Sequence, residues 1–190
     1  MSSMIRNVVY FAGKGVEDTD EALKAALVRA KELGIRTIVV ASTQGETGVK
    51  ASEVFKGYNV VVVTHCTGFK EANAQELTEG NTKMILANGA RILTTTHAFA
   101  GLGRAVKNKF GTVQAEDIVA NTLRIFGEGM KVACEVACMA ADAGYVKTDE
   151  DAIAIGGSGR GADTAIVVRP VNVHKFFDMK VKEVICKPLQ

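Results

Sequence analysis

The segment with the strongest potential for ligand chemistry is residues 42–48, Ser-Thr-Gln-Gly-Glu-Thr-Gly. It follows a β-branched apolar run at residues 35–41 and precedes a helical pattern at residues 49–55. Such a connection brings free backbone N–H groups and the positive end of a helix dipole to one point, which suits an anion. Taken alone, the segment fits an ordinary strand-to-helix connection equally well. Our hypothesis is that it holds a phosphate group through its hydroxyls and open backbone: Ser42, Thr43, Gln44, Gly45, Thr47 and Gly48.

A second candidate anion site is the glycine-rich segment near the end of the chain. Its backbone N–H groups and its one arginine suit bidentate contact with a phosphate. The segment is not a dinucleotide fingerprint, because it leads into a strand pattern and not into a helix. A long hairpin turn that needs glycine is the alternative. The candidate ligand-binding residues are Gly157, Ser158, Gly159, Arg160 and Gly161.

Polar residues also follow two further apolar runs, at residues 59–64 and 91–96. In a parallel sheet these exits lie side by side at the carboxyl ends of the strands, where ligands bind. We therefore expect six of these residues to line the remainder of the site: His65, Cys66, Thr67, Thr95, Thr96 and His97. A thiol close to an imidazole is also a candidate nucleophile, so a thiol-dependent enzyme that uses Cys66 stays an alternative.

Other residues with reactive or charged side chains are better explained as core or surface residues of helices than as parts of a site. Cys134 and Cys138 are four residues apart in an apolar helical pattern, which predicts core cysteines and no metal site. Several acidic side chains are predicted to lie at solvated helix positions, with no paired-carboxylate site: Glu116, Asp117, Glu128, Glu135 and Asp142.

The elements that position these residues alternate along the first half of the chain. Thr19 is the predicted N-cap of a helix that ends at Gly34, and this helix leads directly into the strand at residues 35–41. Two more helix-to-strand steps follow and deliver the strands at 59–64 and 91–96. Short connections of this kind are typical of a parallel sheet. A short run at residues 7–11 is predicted to be a strand or an edge strand.

The second half is predicted to be helical and then rich in strands. Residues 102–111 are predicted to be irregular or briefly helical, and Thr112 is the predicted cap of a helix that reaches Phe126. The pattern at residues 130–143 is apolar nearly all round, which indicates a helix buried on more than one side. Strands at 152–155, 163–169 and 181–186 follow, and the last two are expected to add antiparallel pairing. We predict one α/β domain over residues 1–190, with three layers, α/β/α, and a mainly parallel sheet.

Composition limits the partners of the chain. The 23 basic and 21 acidic residues give a net charge of +2, which is too balanced for a nucleic-acid footprint. No window is long and apolar enough for a membrane span, and residues 1–6 lack a signal-peptide core. Four cysteines without a Cys-x-x-Cys pair are typical of a reducing compartment. We expect a cytoplasmic protein that forms a homo-oligomer and binds neither nucleic acid nor membrane.

Two segments resemble the C-terminal domain of pyruvate kinase. The first is residues 37–48, Thr-Ile-Val-Val-Ala-Ser-Thr-Gln-Gly-Glu-Thr-Gly. The second is residues 157–168, Gly-Ser-Gly-Arg-Gly-Ala-Asp-Thr-Ala-Ile-Val-Val. The resemblance implies that the first segment holds a phosphate of an allosteric sugar bisphosphate and that the second closes over the same effector. The order of elements between them also matches, so the resemblance covers most of residues 15–170.

The same resemblance carries expectations about function. The chain shows no upstream barrel for the kinase's metal, ADP and phosphoenolpyruvate chemistry, so we expect no pyruvate kinase activity. It looks like small stand-alone proteins of this fold, found mainly in archaea, that are associated with FMN. We therefore predict a phosphate-anchored protein that binds FMN as its cofactor. A regulatory sensor of a sugar phosphate or nucleotide is the main alternative, and the sequence names no hydride donor or substrate.

Overall fold

A seven-stranded sheet forms the centre of residues 3–189, the part of the chain that the computed structural model describes. The strands are β1 (Val9–Phe11), β2 (Thr37–Ala41), β3 (Asn59–Val63), β4 (Arg91–Leu93), β5 (Ala152–Gly156), β6 (Thr164–Arg169) and β7 (Lys180–Pro188). Their order across the sheet is β1-β7-β6-β5-β2-β3-β4. The helices are α1 (Thr19–Leu33), α2 (Glu46–Val54), α3 (Glu79–Ala87), α4 (Gly101–Phe110), α5 (Ala115–Arg124) and α6 (Glu128–Asp142).

Strand direction divides the sheet. Strands β5, β2, β3 and β4 are parallel neighbours, and β1 pairs in parallel with β7 at the edge. Strand β6 is antiparallel to both β5 and β7, as predicted for the late strands. The three-layer fold with a mainly parallel sheet is therefore confirmed. Within residues 3–189, every helix is too short or too polar to cross a lipid bilayer.

Each face of the sheet is covered by its own helices. Ile38 and Val40 of β2 pack into a core with α1, α2 and α3 on one face. Val39, between them, packs on the opposite face against α6. Alternate side chains of a strand point to opposite faces, and helices cover both faces here. All three side chains are therefore fully buried. A run without polar residues is therefore required, and residues 38–41 supply it.

Two predicted helix starts are wrong. Thr19 is the first residue of α1 and does not cap it; its Oγ1 instead accepts a hydrogen bond from the Ala162 N–H at 3.0 Å. Helix α5 begins at Ala115 rather than after Thr112, because the Gln114 N–H donates to Oδ2 of Asp117 at 3.1 Å and closes the first turn there. At α1 the long-range contact between Thr19 and Ala162 overrides the preference of threonine for the N-cap. At α5 the local contact between Gln114 and Asp117 does so.

The region after the third apolar run also differs from expectation. Strand β4 ends at Leu93, three residues before the predicted end, because only residues 91–93 find partners on β3. Residues 102–111 are expected to be irregular or briefly helical, but residues 101–110 form the ten-residue helix α4. None of its residues is buried.

Candidate functional site

A cavity of about 1150 Å³ opens at the carboxyl ends of the central strands. Val40 of β2 stands opposite Ile155 of β5, so residues 42–48 and 157–161 leave neighbouring parallel strands at the same level. The strand that follows β2 in the chain, β3, lies on one side of it in the sheet, and β5 lies on the other side. The strand order therefore reverses between β2 and β5, which makes these two strands the switch point. Ligands of open α/β sheets bind at such a point.

One end of the cavity contains the start of α2. The hydroxyl of Ser42 accepts a hydrogen bond from the Gly48 N–H at 3.0 Å and fixes the turn. Five other backbone N–H groups meet no acceptor within residues 3–189. They belong to residues 43–47. Free donors at a helix start, together with the helix dipole, favour an anion at this point.

The glycine-rich segment is held over the same end by a carboxylate. Asp163 is completely buried and accepts hydrogen bonds from the N–H groups of Gly15, at 3.2 Å, and Ser158, at 3.0 Å. Its Oδ1 also accepts a hydrogen bond from the Thr164 hydroxyl, with an O···O distance of 2.8 Å. Sequence analysis missed this anchor, although an aspartate between a glycine-rich segment and a strand was a usable signal. Arg160 completes the arrangement, because it donates to the side-chain oxygen of Gln44 at 2.9 Å and joins the two segments.

The charge of the cavity wall is predominantly positive. Four acidic side chains line the cavity, at Glu46, Glu76, Glu128 and Glu135. The basic side chains are twice as numerous: Lys14, Lys50, Lys70, Arg104, Arg124, Lys131, Arg160 and Lys187. An excess of basic groups in a concave site raises the local concentration of anionic ligands.

Aromatic rings line the adjoining part of the cavity, which begins where His65 contacts Thr43. The ring centroids of His65 and Phe69 lie 4.1 Å apart, and Phe69 stacks on His97 at 5.1 Å. The guanidinium of Arg104 lies 4.9 Å from the Phe69 ring centre, a cation–π distance. Val132, Val136 and Met139 of α6 add an apolar wall.

The two histidines have different surroundings. Nδ1 of His65 lies 2.7 Å from Oε2 of Glu76, and its Nε2 lies 3.4 Å from Oγ1 of Thr43. Lys70 lies 2.7 Å from Oε1 of Glu76, and this neighbour, followed by His65, holds the pKa of that carboxyl below its usual range against the effect of burial. Burial lowers the pKa of His97, whose Nε2 accepts the Cys66 N–H at 3.4 Å. His97 is therefore neutral near pH 7.

A buried ion pair forms part of the cavity wall. Lys131 and Glu135 of α6 form a salt bridge and are 8% and 4% exposed, respectively. Oε1 of Glu135 also accepts the N–H of Phe99 at 2.9 Å. The prediction of a solvated Glu135 is therefore wrong, because the segment that follows β4 covers this side of α6.

The structure brings most of the sequence-predicted site residues to the cavity. The residues that line it are Ser42, Thr43, Gln44, Thr47, His65, His97, Gly157, Ser158, Gly159, Arg160 and Gly161. Six others lie outside its lining: Gly45, Gly48, Cys66, Thr67, Thr95 and Thr96. The two glycines contribute through the backbone instead. Gly45 has a φ of 109°, which favours glycine, and a side chain on Gly48 would lie 2.7 Å from Val62.

The thiols take little part in this arrangement. Cys66 contacts His97 through its backbone N–H and not through its sulfur. Cys134 and Cys138 are buried, as predicted, and burial raises the pKa of each to about 12. Across residues 3–189 no cluster of three metal-ligating side chains occurs.

Comparisons with known proteins place this geometry in context. A family model described as "Pyruvate kinase, alpha/beta domain" matches residues 20–168. A crystal structure of a pyruvate kinase from Cryptosporidium parvum is 13% identical, with a TM-score of 0.43 over 84% of this chain and 24% of that chain. A second structure of the same organism's pyruvate kinase is 12% identical, with a TM-score of 0.36 over 76% of this chain and 22% of that one. The chain thus spans about a quarter of the length of these enzymes.

Proposed function

Because this chain belongs to the pyruvate kinase alpha/beta-domain family, we propose that it is a phosphate-anchored ligand-binding protein whose ligand is FMN. The observation that carries the proposal is the junction of two segments at the switch point. The free N–H groups that begin α2 and the arginine-bearing glycine segment lie on neighbouring strands and face one basic cavity. A phosphate group would accept hydrogen bonds from the N–H donors that have no other acceptor at this junction.

Three side chains would hold the phosphate together with the backbone. Thr43 and Thr47 line the cavity beside the start of α2, and each has a hydroxyl that can donate. Arg160 already crosses from its own segment to Gln44, so a small rotation of the guanidinium would present two N–H donors to the same anion.

The remainder of the cavity fits the rest of FMN. Small-molecule sites commonly have volumes of about 300–1,000 Å³, and this cavity of about 1150 Å³ has room for a flavin. The rings of Phe69 and His97 offer a stacking surface, and Val136 and Met139 offer an apolar one. Bound flavin would supply hydride or single-electron transfer. The chain's own part is to hold the phosphate, to exclude water along α6 and to place the Lys131 ammonium in the cavity wall.

We assign no pyruvate kinase activity to the chain. The family match is to the alpha/beta domain of pyruvate kinase. The residues of the cavity bind an anion in this proposal, and none is assigned to phosphoryl transfer to ADP.

The experiment that tests the proposal is a titration of the purified protein with FMN, followed by flavin absorbance and fluorescence. We expect saturable binding and a flavin spectrum that survives gel filtration. A protein that stays colourless and shows no saturation would refute the flavin assignment. If sugar phosphates or nucleotides bind instead, the sensor alternative takes its place.

Variants of the hydroxyl residues test the phosphate anchor separately. Hydrogen bonds to charged groups contribute about 1.5–3 kcal/mol each, so Thr43→Ala with Thr47→Ala should weaken FMN binding at least about tenfold. The matched control is Thr122→Ala with Thr148→Ala, because both threonines are exposed and lie outside the cavity. Equal affinities for the two double variants would show that the phosphate binds elsewhere.

A further inference from the structure

We infer that Thr43, His65 and Glu76 form a nucleophile–base–acid triad that hydrolyses anionic carboxylic esters. This activity goes beyond flavin binding and does not require the flavin. It uses the same end of the cavity, so a ligand on the phosphate anchor would compete with the ester.

The triad is a continuous chain of polar contacts. Oγ1 of Thr43 lies 3.4 Å from Nε2 of His65, and Nδ1 of the same ring lies 2.7 Å from Oε2 of Glu76. All three side chains line one cavity, so a substrate can reach the hydroxyl. The first contact is long, but contacts between a nucleophile and its base often shorten only when substrate binds. The roles and the geometry, and not the sequence order, define such a triad.

Glu76 is placed to orient the imidazole. Its side chain is 11% exposed, and Lys70 pairs with the oxygen that does not face His65. The lowered pKa of Glu76 keeps the carboxylate ionised at neutral pH, so it accepts a hydrogen bond from Nδ1–H of His65. Nε2 is then an acceptor that faces the hydroxyl of Thr43. The Phe69 ring packs on the imidazole and limits its rotation.

Thr43 lies where a nucleophile benefits from the fold. It occupies the turn between β2 and α2, so the N–H groups of Gln44 and Gly45 follow directly at the positive end of the helix dipole. Neither group has an acceptor within the described chain. In strand–turn–helix hydrolase sites, the N–H after the nucleophile stabilises the oxyanion. A lost donor of this kind typically lowers kcat about 10²–10³-fold.

The reaction balances with water as the sole co-reactant. The Thr43 oxygen attacks the ester carbonyl carbon, and its proton moves to Nε2 of His65. The C–O bond to the alcohol breaks, and the alcohol leaves with that proton. Water then attacks the acyl-threonine, gives its proton to Nε2, and releases the carboxylic acid as Oγ1 regains a proton. The sum is ester and water to acid and alcohol.

The cavity wall indicates the class of ester. Basic side chains outnumber acidic ones two to one, and Glu76 and Glu135 are already paired with cations. Arg160 contacts Gln44 next to the start of α2 and can pair with a carboxylate of the substrate. An ester with a negative charge in its acyl part therefore fits better than a neutral one.

The test is the release of 4-nitrophenolate from two probes by flavin-free protein, the anionic 4-nitrophenyl hemisuccinate and the neutral 4-nitrophenyl butyrate. We expect faster hydrolysis of the anionic probe. Thr43→Ala and His65→Asn should each lower kcat about 100-fold or more, and Glu76→Gln about tenfold. Thr43→Ser should retain activity, because it keeps the hydroxyl. His174→Asn is the matched control, since that histidine is exposed and lies outside the cavity.

Each result decides the inference. Mass spectrometry of the quenched reaction should find the succinyl group on the peptide that contains Thr43. A rate no higher than that of buffer, or full activity in a folded Thr43→Ala protein, would overturn the triad. Hydrolysis without FMN binding would refute the flavin proposal alone, and FMN binding without hydrolysis would refute the triad alone. Where both occur, FMN should inhibit hydrolysis competitively.

Discussion

Replacing Asp163 with alanine should destabilise the protein and loosen the glycine-rich segment. The carboxylate is fully buried and accepts three hydrogen bonds, from the N–H groups of Gly15 and Ser158 and from the hydroxyl of Thr164. Two of these donors lie in different parts of the chain, so this side chain fastens the N-terminal turn to the segment that covers the cavity.

The magnitude follows from the bonds that are lost. A hydrogen bond to a charged group contributes about 1.5–3 kcal/mol, so three of them give a loss of about 4.5 kcal/mol or more for Asp163→Ala. For a chain of this length, a loss of about 4.5 kcal/mol corresponds to a decrease in Tm of about 9–18 °C. Asp163→Asn should lose only about 1–2 kcal/mol. Its amide oxygen can still accept both N–H groups, while its NH₂ donates to the hydroxyl of Thr164.

Urea unfolding followed by circular dichroism measures the free energies of unfolding. The control is Asp149→Ala, because that aspartate is exposed and should change stability by less than about 0.5 kcal/mol. A loss below about 1 kcal/mol for Asp163→Ala would refute the argument. Equal losses for alanine and asparagine would also refute it, because the asparagine variant keeps all three contacts and loses only the charge.

Three further predictions concern protonation, thiol reactivity and packing. Burial lowers the pKa of His97, so below about pH 6.5 the unfolded chain binds a proton that the folded chain does not. The free energy of unfolding therefore decreases as the pH is lowered. The unfolding free energy of His97→Gln should therefore decrease less between pH 7 and pH 5 than that of the wild type or of His174→Gln, and parallel curves would contradict this. Iodoacetamide at pH 8 should label Cys66 alone in the native protein, because burial raises the pKa of the other three thiols to about 12; labelling of all four before unfolding would contradict it. Gly156→Ala should cost about 1–3 kcal/mol, because its Cβ would lie 2.9 Å from a backbone nitrogen of α6. Gly80→Ala, on the open surface of α3, should be neutral or stabilising; equal effects of the two changes would contradict the close packing of α6 on β5.

The local patterns of the sequence determined the elements and much of the fold. The β-branched run that became β2 predicted a strand covered on both faces, and the short helix-to-strand connections predicted parallel pairing. The proposed anion site at the start of α2 was equally local, because hydroxyls, glycines and a helix start are adjacent along the chain. One of the two mistaken helix starts, that of α5, came from a local contact between Gln114 and Asp117, and the other had a cause outside those patterns. Thr19 is engaged by Ala162, which is 143 residues away in the sequence.

The tertiary structure decided which of these features form one site. Strand β5 lies next to β2, and this placement brings Arg160 to Gln44 across 116 residues of sequence. The pairing of His65 with Glu76 depends on the path of an irregular segment, which has no periodicity to reveal it. Glu135 has the spacing of an exposed helix position and is buried because the segment after β4 crosses it. Sequence patterns report local backbone preference and the face of an element, whereas contacts between distant segments depend on how the elements pack.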